Sequence, residues 1–227
     1  MTRRCKRSAV FSLLAVALSL LASGRVGATE FPCNIQNVHI VAEDSRDAIL
    51  ACEGAAAALS FLSAEGLDVA TNITIEIAPS LTQEDGCSAA GHYLASSNKV
   101  VILPYPEFVR FKTWFRAPIT HALYRSLVAH EVAHIVAIHN CQVENPTIQA
   151  QEYIAYVTTM ATLEPAQRRL ILSRYPGDGY ETDQQMNATI YLCDPMRFGV
   201  EAYRHFLKKG REENYFRAIL SGCALAE

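Results

Sequence analysis

Residues 130–134 read His130-Glu131-Val132-Ala133-His134, inside a stretch from about Ile119 to His139 that holds no proline or glycine. Leu123, Leu127, His130, His134 and Ile138 recur at spacings of three and four, the signature of one helix face. At about 100° per residue the two histidines stand one turn apart and only about 40° from each other around the axis. Both imidazoles can then reach one tetrahedral zinc ion, with Glu131 on the same turn able to address a water at that point. A purely structural zinc site has no use for a general base there, so Glu131 marks the pattern as a catalytic one. The cofactor expected is one Zn²⁺.

A catalytic zinc takes three protein ligands and leaves a fourth position open. The extended pattern HExxHxxGxxH would need Gly at 137 and His at 140, where this chain has Ala137 and Asn140. His139 lies roughly 140° from His134, and His121 roughly 180° from His130, so neither helix neighbour can join. Glu152 is the best third ligand. The helix runs about five residues past His134 and the next begins about six before Glu152. At about 1.5 Å per residue the two arms of a helical hairpin nearly match, returning Glu152 level with the histidines. Its neighbours Tyr153, Ile154, Ala155 and Tyr156 are apolar or aromatic, a setting in which an unpaired carboxylate is costly and a metal would relieve it. Glu144, the runner-up, sits in the turn.

Working outward, Asn37 to Glu43 alternates as a strand, and Asp44 or Ser45 caps an alanine-rich helix to about Ala64, closed by Gly66. Thr71 to Ala78 is a β-branched strand, Tyr93 to Ala95 a third, and Lys99 to Pro104 a fourth after a Ser-Ser-Asn turn. Beyond Pro118 the signals are helical. Asn145-Pro146 marks a fresh start, Thr147 to Leu163 and Pro165 to Tyr175 follow, and Asp194-Pro195 opens a helix that Gly210 closes. The fold class expected is α+β: a small N-terminal mixed sheet with one helix, then the HExxH helix and a mainly helical C-terminal lobe.

Residues 1–28 read as a signal peptide: Arg3, Arg4, Lys6 and Arg7, an apolar Ala9 to Ala22, and Val26-Gly27-Ala28 as the cleavage site. This leaves 29–227 as a single domain, exported to the periplasm or secreted, with no stable membrane insertion and no other stretch reading as a bilayer span. The removed segment carries five basic residues and no acidic one, which takes the formal charge from −3 to −8. Such acidity argues against nucleic acid or an anionic membrane as partner. Cys33, Cys52, Cys87, Cys141, Cys193 and Cys223 remain, an even and scattered set without CxxC that suits three disulfides of undetermined pairing.

On His130 to about Tyr156 the chain resembles the zincin metallopeptidases, specifically the gluzincin arrangement of HExxH followed by a Glu on the next helix. The preceding strand–helix–strand order extends the likeness to about Asn37, and the whole looks like one of the small families of exported bacterial metallopeptidases. The resemblance implies a zincin-like fold, a peptide or protein substrate, Glu131 as general base, and His130, His134 and Glu152 as zinc ligands. It also implies that Lys99 to Pro104 is the edge strand that pairs with an extended substrate. Two features depart from the pattern: Tyr156 stands where many gluzincins have an Asp, and no Tyr lies between His134 and Glu152 to serve as oxyanion donor. Tyr156, Tyr180, Tyr191 and His205 are candidates for that helper, although His205 reads as a surface residue, off the Met196, Gly199, Ala202, Tyr203, Phe206 face. A second reading of the same residues is a catalytically silent zincin-fold binding or assembly protein of the periplasm.

Overall fold

The computed structural model describes residues 27–81, 90–144, 146–210 and 214–225. Residues 1–26, most of the expected signal peptide, lie outside the described residues, as does Cys87. Strands β1 (Thr29–Phe31), β2 (Val38–Ala42), β3 (Ile73–Ile77), β4 (Gly91–Leu94) and β5 (Lys99–Ile102) form one mixed sheet in the order β1-β2-β3-β5-β4. The inner strands β2, β3 and β5 run parallel, and β1 and β4 pair antiparallel at the two edges. The fold is α+β. The alternation visible in the sequence is the burial pattern itself: Val38, Ile40 and Ala42, then Ile73, Ile75 and Ile77, face the core.

One expectation about the sheet is corrected. Lys99–Ile102 is not an edge strand, because β3 and β4 take its two sides. After β3 the chain goes first to the edge, as β4, and then turns back through Ala95–Ser97 and the left-handed Asn98 (φ 49°) to slot β5 inside. Strand alternation carries no information about this order.

Helix α1 (Ser45–Ala64) crosses from β2 to β3. Asp44 caps it, its carboxylate accepting from the Arg46 amide at 2.8 Å, and Gly66 at φ 79° ends it. By length and composition α1 is apolar enough to cross a membrane, which the sequence reading overlooked. Here Ala48, Ala51, Ala55, Ala58 and Leu62 line the core instead. Its partner is α3 (His121–Asn140), capped by the Thr120 hydroxyl, which accepts from the Leu123 amide. The two helices touch at Gly54, where an added Cβ would meet the Arg125 carbonyl oxygen at 2.4 Å. Only glycine allows that approach.

The short helix α2 (Tyr105–Val109) and a two-stranded ribbon, β6 (Thr113–Trp114) with β7 (Ala117–Pro118), link the sheet to α3. Tyr124 of α3 donates its hydroxyl to the Leu103 carbonyl at 2.8 Å, pinning the helix to the end of β5. Helix α4 (Ile148–Thr162) returns antiparallel beside α3, followed by α5 (Pro165–Ser173), α6 (Ala188–Cys193), α7 (Pro195–His205) and α8 (Tyr215–Leu220). Helix α3 is therefore covered by α1, α4 and the sheet, and every residue from Ser126 to Ala137 is buried.

Cys33 and Cys52 are joined (S–S 2.00 Å), closing a 19-residue separation between the β1–β2 loop and α1. A closed loop of this size is worth about 3 kcal/mol in the chain-entropy view. The expectation of three disulfides is not met among the described residues. Cys141, Cys193 and Cys223 are free thiols, on the C-cap of α3, the end of α6 and the segment after α8. An even count fixes parity but not distance.

Candidate metal centre

The α3–α4 hairpin gathers His130, His134 and Glu152. His130 Nε2 and His134 Nε2 are 3.3 Å apart; Glu152 places Oε2 3.5 Å from the first and Oε1 3.7 Å from the second. Zinc bonds of about 2.0–2.1 Å in a tetrahedron span edges of about 3.3–3.4 Å, which the His130–His134 edge matches, while the two approaches of the carboxylate are slightly longer and end on different oxygens of Glu152. Among the described residues this is the group of His, Cys, Asp and Glu side chains able to hold a metal ion. All three are nearly excluded from solvent: His130 and His134 are buried, and the Glu152 side chain is 12 % exposed.

The hydrogen bonds around His130 fix its tautomer. The Thr159 hydroxyl donates to the Ala155 carbonyl at 2.8 Å, so its oxygen accepts from His130 Nδ1–H at 3.2 Å. Nε2 is then left with a lone pair directed at the triangle. At His134, Nδ1 is buried without a partner, and so is Glu152 Oε2. Two imidazole nitrogens at 3.3 Å need a proton or a cation between them. The close pair of Nε2 atoms and the unpartnered Glu152 Oε2 fit a divalent metal.

Electrostatics point the same way. Burial holds both imidazoles below their ordinary range, His134 at about 3. Burial likewise raises Glu152 to about 7, against a lowering by the nearby Tyr191 hydroxyl. Glu131 is raised well above the carboxylate range by burial first and by Glu152 second. Without metal the cluster therefore resists every charge placed on it. A bound dication reverses that preference and favours the carboxylate form.

Glu131 lies against the edge strand. A Cβ on Gly91 would come within 2.9 Å of Glu131 Oε1 and 3.0 Å of its Cγ, so β4 passes as close to this carboxylate as a backbone can. Two residues on, Tyr93 stacks on His134 with ring centroids 4.6 Å apart and 18° between planes, and its hydroxyl donates to Gln151. Tyr156 lies edge-on to His130 at 4.7 Å. Tyr93, Tyr156 and Tyr191 all have hydroxyls pushed above the usual range, by burial first and by the Glu152 carboxylate next, so each stays a proton donor.

Of the four helper candidates, Tyr156 and Tyr191 line the cleft over the metal triangle, and Tyr180 and His205 do not. His205 is not a surface residue either: it is 3 % exposed, its Nδ1 2.7 Å from the Tyr153 hydroxyl. Helix α7 is buried on more than one face, with Val200, Glu201 and His205 covered as well as Gly199, Ala202 and Tyr203, and α4 and α8 enclose His205 through Tyr153 and Tyr215. His121 and His139 are exposed, the latter paired with Asn98 at 2.7 Å, and Glu144 is exposed in the turn. Gly91, Tyr93 and Thr159 were not anticipated. The strand read from the sequence starts at Tyr93, two residues too late to put Gly91 and Tyr93 on one face.

No curated protein and no solved structure matches this chain. A protein-family model matches residues 38–227, which hold every strand of the sheet but β1, the two helices that carry His130, His134 and Glu152, and the C-terminal helices. The chain thus belongs to the family described as a family of unknown function, DUF6639.

Proposed function

We propose that this protein is an exported zinc-dependent metallopeptidase of gluzincin type, hydrolysing peptide bonds. The observation that carries the reading is the triangle of His130 Nε2, His134 Nε2 and the Glu152 carboxylate, with edges of 3.3 to 3.7 Å, beside the carboxylate of Glu131. Zinc held by these three residues supplies Lewis acidity, making water a nucleophile near neutral pH and polarising a carbonyl.

The remaining steps belong to the chain's own residues. Glu131 takes a proton from the attacking water and delivers it to the leaving amine. Its raised pKa in a dry site suits a group that must both accept and return a proton. The backbone of β4 next to Glu131 pairs only with β5 among the described residues, so its outer edge offers main-chain groups to an extended peptide. Tyr191 and Tyr156 stand as neutral donors facing the same cleft, able to steady negative charge on the carbonyl oxygen. Thr159 keeps His130 in the tautomer that presents Nε2.

The test is digestion of a peptide library by the purified mature protein with zinc, with and without a chelator. Cleavage that the chelator abolishes and zinc restores is the expected result. Binding of one zinc with no cleavage of any peptide would replace the enzyme with a silent zincin-like scaffold.

A further inference from the structure

A histidine that holds a metal through one ring nitrogen is aimed by what the rest of its ring touches. At His130 that is a hydrogen bond, from Nδ1–H to the Thr159 hydroxyl. At His134 no acceptor reaches the buried Nδ1 among the described residues. When Nε2 faces a metal, Nδ1 carries the proton, so this N–H does nothing to aim the ring. The orientation of His134 has to come from packing.

That packing is the ring of Tyr93. The two rings are 18° from parallel with centroids 4.6 Å apart, so turning the imidazole about its Cβ–Cγ bond would drive it into the tyrosine. Tyr93 is itself held at both ends. Its backbone lies in β4, paired with Val100 of β5. Its hydroxyl bonds Gln151 Oε1, and Gln151 Nε2 donates to the Pro146 carbonyl at 3.1 Å. A carbonyl only accepts, so the amide nitrogen faces Pro146, the amide oxygen faces Tyr93, and the tyrosine is the donor of that bond. With its one proton committed there, Tyr93 gives none to a substrate. Gln151 immediately precedes Glu152 on α4, so one side chain from the sheet edge touches one member of the metal triangle and is anchored beside another. Gly91, two residues earlier on the same face of β4, has no Cβ to hold the strand off Glu131 and α3.

We propose that Tyr93 is the positioning residue for His134: its stacked ring, in place of a hydrogen bond, aims Nε2 at the metal. The assignment rests on the zinc-site part of the proposed function and not on peptide hydrolysis. The stack also responds to charge. A dication draws electron density from the imidazole that binds it, and the face of a tyrosine ring attracts positive charge. The contact is therefore stronger in the metal-bound protein than in the metal-free one, and Tyr93 contributes to metal affinity without being a ligand.

The test measures zinc affinity of the mature protein by competition with a chromophoric chelator, and site geometry by the visible absorption of the cobalt(II)-loaded form. Tyr93→Leu keeps apolar bulk and removes the ring, so it should bind zinc about 10–100-fold more weakly and shift the cobalt bands. Tyr93→Phe keeps the ring and loses only the bond to Gln151, so it should restore most of the affinity and the parent's cobalt bands. Equal zinc affinity in the parent and Tyr93→Leu, or a loss in Tyr93→Phe as large as in Tyr93→Leu, overturns the proposal. The zinc-loaded parent gives a reading that needs no folded variant. The current of a stacked ring should move the His134 ring protons upfield in its NMR spectrum, and unshifted protons overturn the proposal as well. A parent that takes up no zinc removes the metal site and the role of Tyr93 together, whereas zinc bound equally well by Tyr93→Leu removes the role of Tyr93 alone.

Discussion

Replacing Glu152 by Gln should stabilise the metal-free protein and remove its response to zinc. Burial raises this carboxyl from 4.5 to about 7. For an acid raised on folding, the penalty is absent below the unfolded value, grows between the two, and is complete above the folded one. A rise of this size corresponds to roughly 3 kcal/mol at pH 8 and less than about 1 kcal/mol at pH 5. The amide is itself a buried polar group, so a net gain of about 1–3 kcal/mol is expected at pH 8, or about 2–12 °C in Tm for a chain of this length. Zinc reverses the order. At free zinc a hundred times its dissociation constant the parent gains about 2.7 kcal/mol. A variant bound more than a hundredfold more weakly gains less than about 0.4 kcal/mol at the same concentration. Thermal melts of both proteins at pH 5 and pH 8, with chelator and with zinc, read all of this. A Gln variant stabilised by zinc as strongly as the parent, or less stable than the metal-free parent at pH 8, would refute the reasoning.

Thr159→Val removes the acceptor that sets the His130 tautomer. Zinc affinity measured by competition with a chromophoric chelator should fall about 10–100-fold, and unchanged affinity would detach Thr159 from the site. In Gly91→Ala the new Cβ would press on the Glu131 side chain and on Ile102 Cγ2, so kcat should drop about ten- to a hundredfold while zinc affinity holds, as read by steady-state kinetics and metal titration. Gly54→Ala drives a methyl group into the Arg125 carbonyl oxygen, forcing α1 from α3, and should cost about 1–3 kcal/mol in urea unfolding.

The α+β class was legible because the strands of period two all end by Ile102, interrupted by the one alanine-rich helix α1, and helical spacing prevails from His121 onward. The metal triangle was legible for a related reason: a helix fixes the phase of His130 and His134, and equal hairpin arms return Glu152 to their level. What surrounds the triangle was not. Tyr93 and Gly91 reach it from β4 only because that strand is at the edge of the sheet, and alternation does not encode strand order. Thr159 meets His130 across two helices, through a contact that depends on their rotation about their axes. His205 escaped because α7 is buried on more than one face, which a single apolar stripe does not reveal. Phase within one element is local, and the contacts that finish a site are not.

Metal content and peptidase activity of the mature protein, measured beside Glu131→Gln, bear most directly on the proposed catalytic zinc site. Glu131 lies outside the ligand triangle, so both proteins should carry one zinc per chain, and only the parent should cleave peptides. Cleavage retained by Glu131→Gln, or zinc lost from it, would contradict the assignment of Glu131 as the base beside a His130–His134–Glu152 zinc.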